Sequence, residues 1–349
     1  MAKYSSTINQ HVFATAIIGV IAAQTVLAAD KIPLTVGAFS TSDLAADALY
    51  QNMERALKEA PGKPFAVKML VRGEAGPDEL VFSSLRRGRL QMAGIGYVSL
   101  STLIPEFNVL TAPFLFNSWD EADFVWDNFV EAFLNELLAE NGIIGLRHTG
   151  MSWHNVWSKT AILTPSDAHD VRFRVTIDEA SQLFARAMGA DVIQVSANEL
   201  VTGLQTGLLE AGDTNMMVYS MLGIWEEAPH VTLTRHSPGM VILVCNKSWW
   251  DRLTPDLQQI VRDADTPPIE VRQIMRADAE KRLAQIEQRG VIMHELTTEQ
   301  RTQWRSMALS THETLIDLLG GRAREMYNLV LEGKLAFALQ SPVKQKKLD

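Results

Sequence analysis

The pattern of apolar and polar positions opens with a strand at residues 32–36, an apolar-rich run followed by the polar stretch Ser40-Thr41-Ser42-Asp43. Leu49, Met53 and Leu57 then recur at helical spacing, which predicts an amphipathic helix over 44–59, ended by Pro61-Gly62. Residues 65–70 read as a second strand, 77–87 as a helix with Pro77 in its permitted first turn, and 90–94 as a third strand. This β-α-β-α-β order implies a parallel sheet with right-handed crossovers. A second round begins near Ile143. Strands are predicted at 143–146, 172–175 and 191–195, with helices at 180–188 and 198–206 between and after them. Residues 231–234 and 240–245 read as strands that cross back. The last third is helical: 255–264, 271–289, 298–319 and 323–331, with a charged tail ending in Lys344-Gln345-Lys346-Lys347.

Two such α/β rounds predict a two-lobe fold with a central ligand cleft and a helical C-terminal third. The predicted organisation is lobe I from residues 29–151 plus about 240–279, and lobe II from 152–239 plus about 280–335. Residues 1–28 form a leader and 336–349 a tail. Ligands of open α/β sheets bind outside the carboxyl ends of the strands. That rule directs attention to residues 37–43, 71–77, 95–99, 150–155, 174–178 and 212–219.

The N-terminus changes the picture. Lys3 precedes the short apolar run 12–23, and Val26-Leu27-Ala28 places small residues where a signal peptidase reads, so the chain carries a secretory signal peptide cut before Ala29. The run is too short to span about 30 Å of hydrocarbon, and no membrane insertion of the mature chain is expected. Export predicts a periplasmic location. The single cysteine, Cys245, sits in the apolar run 241–245 and reads as a buried, inert thiol. A net charge of −9 argues against nucleic acid as a partner, since such partners are reached through basic patches. The eight histidines show no HExxH or HxH spacing, and there is no G-x-S-x-G elbow and no phosphate loop. No catalytic residue, metal or cofactor is expected.

Three segments carry a family resemblance. Ala112-Pro113-Phe114-Leu115-Phe116 is followed by Asp120-Glu121-Ala122. Thr164-Pro165-Ser166-Asp167 leads into Val171-Arg172-Phe173-Arg174-Val175, then Ala187-Met188-Gly189-Ala190 and Leu204-Gln205-Thr206-Gly207-Leu208-Leu209-Glu210. Asn246-Lys247-Ser248-Trp249-Trp250-Asp251 continues to Leu253-Thr254-Pro255-Asp256-Leu257-Gln258. In order and spacing these resemble the solute-binding proteins of tripartite ATP-independent periplasmic (TRAP) transporters, the C4-dicarboxylate-binding-protein family, over roughly residues 31–333. The resemblance implies a hinged binding protein, not an enzyme. Such a protein binds a small organic acid and delivers it to TRAP membrane subunits for ion-coupled import.

The resemblance assigns Arg174 the grip on the ligand carboxylate. A guanidinium matches a carboxylate with two parallel hydrogen bonds. From the residues alone Arg174 fits equally an ion pair with Asp170 or Asp178. Arg172, two residues earlier, points to the other face of the strand. The resemblance also places residues 94–99 on the cleft, with Tyr97 and Ser99 as hydrogen-bonding groups; sialic-acid-type members carry an acid where this chain has Gly96. Members with two arginines place the second near residues 151–155, where this chain offers Trp153 to stack on a flat ligand and His154 to donate. Thr214 or Asn215 stands where the family often has a ligand-binding Asn. Arg72, reaching the cleft from the first lobe, would admit a dicarboxylate; otherwise Trp153 and the missing second Arg favour a monocarboxylate with an apolar or aromatic body. The ligand remains open among 2-oxo or 2-hydroxy acids, C4-dicarboxylates and aromatic acids. Thr266-Pro267-Pro268 is a departure from the family's long helix, which is expected to restart near Ile269. Two other functions compete: a receptor that presents its ligand to a signalling partner, and a secreted hydrolase or lyase with a spatially assembled site.

Overall fold

The computed structural model describes residues 31–340. Residues 1–30, which include the expected signal peptide, and residues 341–349 lie outside the described residues. Among the described residues nine strands form one mixed sheet: β1 (Ile32–Gly37), β2 (Phe65–Leu70), β3 (Met92–Gly96), β4 (Ile143–Ser158), β5 (Arg172–Val175), β6 (Asp191–Gln194), β7 (Ala211–Asn215), β8 (His230–Asn246) and β9 (Ile292–His294). The order is β2-β1-β3-β8-β4-β7-β5-β6, with β9 beside β8. On one side β1 pairs in parallel with β2 and β3, as the β-α-β-α-β order requires. On the other, β5 pairs in parallel with β6 and β7. Each side has its own apolar core.

The two sides share β4 and β8. These run antiparallel from Ile143 opposite Asn246 to Ser158 opposite His230. Hydrophobic periodicity predicts only the start of β4 and the two ends of β8, for two reasons. Register shifts fall between Gly145 and Arg147, Gly150 and Ser152, and His154 and Val156, so the period of two is lost three times. Pro238-Gly239 also interrupts the middle of β8, opposite Trp153 and Ser152. The expected strands at 143–146, 231–234 and 240–245 are therefore pieces of two long crossing strands.

A helix, Pro268–Gln288, braces the crossing. Pro267 caps it and Pro268 occupies its first turn, so the double proline restarts the helix one residue before the expected Ile269. It packs on β4 and on one helix from each side, Ala45–Glu59 and Met216–Met221. Arg272 bonds Asp127 at 2.6 and 2.7 Å, and Arg276 bonds Asp123 at 2.7 and 2.8 Å. Arg276 also lies 4.6 Å over the Trp119 ring, which in turn stacks on Trp153 with centroids 4.5 Å apart. The expected helix over 298–319 is instead two, Thr298–Leu309 and His312–Leu319. Helix Ala323–Gln340 absorbs the first five residues assigned to the tail.

Two buried features have measurable consequences. Gly212 on β7 faces Trp157 on β4 and Arg174 on β5. A Cβ there would stand 2.4 Å from the indole and 2.9 Å from the Arg174 Cβ. Gly212→Ala is expected to cost ~1–3 kcal/mol through overpacking. Urea unfolding would show this as a lower midpoint at constant slope; an unchanged midpoint would contradict it. His148 on β4 is buried, and its Nδ1 shares a 2.6 Å hydrogen bond with the Tyr97 hydroxyl. Burial, aided by the charge of Arg272, pushes its pKa down to about 3. The folded state therefore resists a proton that the unfolded chain accepts below the ordinary imidazole value. The resulting stability is complete above that value and is lost as pH falls toward about 3, at up to ~1.4 kcal/mol per pH unit. Unfolding free energies of the protein and of His148→Gln should converge as pH drops from 6.5 to 4; parallel pH dependences would refute the assignment.

Candidate functional site

The carboxyl ends of the inner strands open onto one cavity of about 690 Å³. All six segments singled out in the sequence contribute to its wall, among them Phe39, Pro77, Ser99, His154, Arg174 and Asp213. Helix Pro268–Gln288 closes its back with Val271 and Met275. The cavity therefore sits where β4 and β8 carry the chain from one side of the sheet to the other.

Arg174 stands on β5 and is 6% exposed. Its Nε donates to the Val195 carbonyl and its Nη1 to the Asp213 carbonyl, both at 3.3 Å. Among the described residues no carboxylate lies within 4.0 Å of its guanidinium and no group bonds its Nη2. The two acids that sequence alone offered as partners are engaged elsewhere. Asp170 is exposed and pairs with His169. Asp178 caps helix Glu179–Ala187, accepting from Ser181 N–H at 3.0 Å and from the Thr176 hydroxyl. Arg172 points away from the cavity and pairs with Glu210 at 2.9 Å. Burial lowers the Arg174 pKa, and the nearby charges of Asp213 and Asp178 offset that only in part.

Next to Arg174 lies a network that histidine spacing did not reveal. Asp213 on β7 accepts from His154 Nδ1 at 2.9 Å and from the Ser181 hydroxyl at 3.1 Å; His236 Nε2 stands 3.5 Å away. His236 stacks on Phe184 at 4.5 Å, and its Nδ1 shares a 2.8 Å hydrogen bond with Thr234. Burial alone would raise the Asp213 carboxyl. The hydrogen bonds and charges of the two imidazoles more than offset it and hold the group well below the usual carboxylate range. Burial keeps His236 below its ordinary value against the pull of Asp213. The three ligand atoms lie within 4.8 Å of one another, a spacing that would accept a divalent cation. The hydrogen bonds account for the arrangement without one. His154 thus presents Nε2, free of any partner among the described residues, to the cavity.

The remaining expected residues divide. Ser99, Thr214 and Asn215 line the cavity. Asn215 Oδ1 caps helix Met216–Met221 by accepting from Val218 N–H at 3.0 Å, which leaves its amide nitrogen for a ligand. Tyr97 is on the wall, but its hydroxyl is held by His148 behind the cavity. Two expectations need correction. Trp153 is not on the cavity wall; it packs against Trp119 and the core of the first side, so it cannot stack on a ligand there. Arg72 is outside as well. Its Nε and Nη2 each bond the Asp47 carboxylate at 2.7 Å, a pairing with an acid one helical stretch upstream that neutralises it.

Comparison with known proteins agrees with this architecture. Residues 37–317 match the bacterial extracellular solute-binding proteins, family 7. The chain is similar to the 2,3-diketo-L-gulonate-binding periplasmic protein YiaO of Escherichia coli, 25% identical over 309 residues that cover 84% of this chain and 90% of that one. Its fold resembles the sugar acid binding protein DctPAm of Advenella mimigardefordensis in complex with galactonate, with a TM-score of 0.80, 23% identity and coverage of 88% and 98%. It also resembles the ectoine-binding protein of the TeaABC TRAP transporter of Halomonas elongata, with a TM-score of 0.80, 19% identity and coverage of 87% and 100%. The family consists of transporter receptors, which removes the hydrolase and lyase alternatives. The chain belongs to the bacterial extracellular solute-binding proteins of family 7, the substrate-binding components of TRAP transporters.

Proposed function

We propose that this receptor captures a small organic acid by its carboxylate at Arg174, with Thr214, Asn215, Ser99 and His154 completing the contacts. One observation carries the reading: a permanently cationic side chain is buried in the cavity wall with backbone carbonyls, and no acid, as its partners. A carboxylate restores charge balance and supplies the two parallel acceptors that a guanidinium is built to meet. Asp213 positions this clamp twice, through its carbonyl to Arg174 and its carboxylate to His154. Binding favours the closed arrangement because only there do both sides of the sheet touch the ligand.

The segment 1–28 directs export, and the mature chain works in the periplasm. Among the described residues no helix is long and apolar enough to cross a membrane, so the membrane steps fall to partner subunits. These subunits accept the ligand from the receptor and import it with a coupling ion. YiaO and DctPAm, named for a sugar acid ligand, support an acid as cargo.

Arg174→Ala should keep the fold and lose ~2–5 kcal/mol of ligand binding, at least about thirtyfold in affinity. Calorimetric titration with the acid that most raises the thermal midpoint of the protein measures this. An unchanged affinity in the variant would refute the clamp.

A further inference from the structure

The clamp accounts for one end of the ligand, and the other charges on the cavity wall address the far end. Besides Arg174, the basic side chains that line the cavity among the described residues are Arg147, His154 and His236. Arg147 is already neutralised. Its Nε and Nη2 bond the Asp265 carboxylate at 2.6 and 3.1 Å, and its Nη1 bonds the Thr149 hydroxyl. Asp213 holds both imidazoles. Once Arg174 takes one carboxylate, no unpaired arginine remains for a second.

The first side of the sheet instead presents an acid. Asp78 opens helix Asp78–Arg86 and lines the cavity. Its Oδ2 accepts from the Gly96 N–H at 2.9 Å, and among the described residues it has no cationic partner and no other hydrogen bond. The contact is close because residue 96 has no side chain: a Cβ there would lie 3.0 Å from Oδ2 and push the carboxylate back. Beside it the Tyr50 hydroxyl lies over Gly94, where a Cβ would meet its oxygen at 2.1 Å, and it too has no partner among the described residues. Burial raises the pKa of both groups, Tyr50 to about 12, with the Gly96 N–H opposing the rise at Asp78.

We infer that Asp78 and the Tyr50 hydroxyl form a subsite for a hydrogen-bond donor, so that the cargo is a carboxylate with a hydroxyl or ammonium group at its far end and not a dicarboxylate. This rests on the Arg174 clamp of the preceding subsection. A distal carboxylate would face Asp78 as a like charge, whereas an alcohol or ammonium donates to it.

Calorimetric titrations of the mature protein and of Asp78→Asn with length-matched pairs test the inference. Suitable pairs are gluconate against glucarate, and 5-hydroxypentanoate or 5-aminopentanoate against glutarate. In the wild type the member with the distal donor should bind at least about tenfold tighter, the worth of one charge-assisted hydrogen bond. Asp78→Asn should bring each pair within about threefold, partly by tighter binding of the dicarboxylate, a gain that a misfolded variant cannot show. Preference for the hydroxy or for the amino acid identifies an alcohol or a zwitterion as cargo. Equal or tighter wild-type binding of the dicarboxylates, or a ratio unmoved by Asp78→Asn, would overturn the subsite. If only carboxylates without a distal donor bind, the subsite fails and the clamp stands; if no carboxylate binds, the clamp itself fails.

Discussion

A guanidinium taken out of water without an acid beside it is the constraint around which this molecule is arranged. Desolvating an ion costs several kcal/mol, and two hydrogen bonds to carbonyls recover only part of that. A further part is met at a distance by Asp213 and Asp178, whose carboxylates do not bond the guanidinium, and the balance stays unmet. Both acids are kept occupied, one by two imidazoles and a serine, the other by a helix N-terminus. The charge on Arg174 is therefore buried without a carboxylate partner among the described residues, which is the basis of the proposed clamp. A direct salt bridge to either acid would have made the fold more self-sufficient and the cavity less receptive.

The strand crossing turns that local imbalance into a receptor. β4 and β8 pair with each other along their length, β8 joins the first side through β3 and β4 joins the second through β7, and their register shifts fall near the cavity. Bulges bend and twist a strand at a defined place. Helix Pro268–Gln288 spans the same junction and is tied down by Arg272 to Asp127, Arg276 to Asp123 and Arg282 to Asp43. Arg276, Trp119 and Trp153 form a stack behind the crossing that fixes the helix against β4.

Much of this was legible in the chain, for reasons that can be stated. Strands β2 and β5 are short, uninterrupted and buried on at least part of each face, and their limits follow directly from the apolar runs. Arg174 was singled out by the resemblance alone, and the structure places it third on the four-residue strand β5, in the cavity wall. What stayed hidden depends on contacts between distant segments. His154, Asp213 and His236 meet because β4 pairs with both β7 and β8, a register no spacing of histidines encodes. Trp153 read as a stacking surface because an aromatic beside a cleft is ambiguous; its partner Trp119 is 34 residues earlier and Gly150, where a Cβ would strike that indole at 2.4 Å, is the one local sign. Arg72 was ambiguous for the same reason, and Asp47 settles it.

The most direct measurement of the account is a crystal structure of the mature protein with the organic acid that binds it most tightly. The account requires the acid's carboxylate to lie on the Arg174 guanidinium with both oxygens at about 2.7–2.9 Å from its nitrogens, and Arg147 still paired with Asp265. A complex in which the carboxylate rests on another group, with Arg174 turned to Asp178 or Asp213, would contradict it.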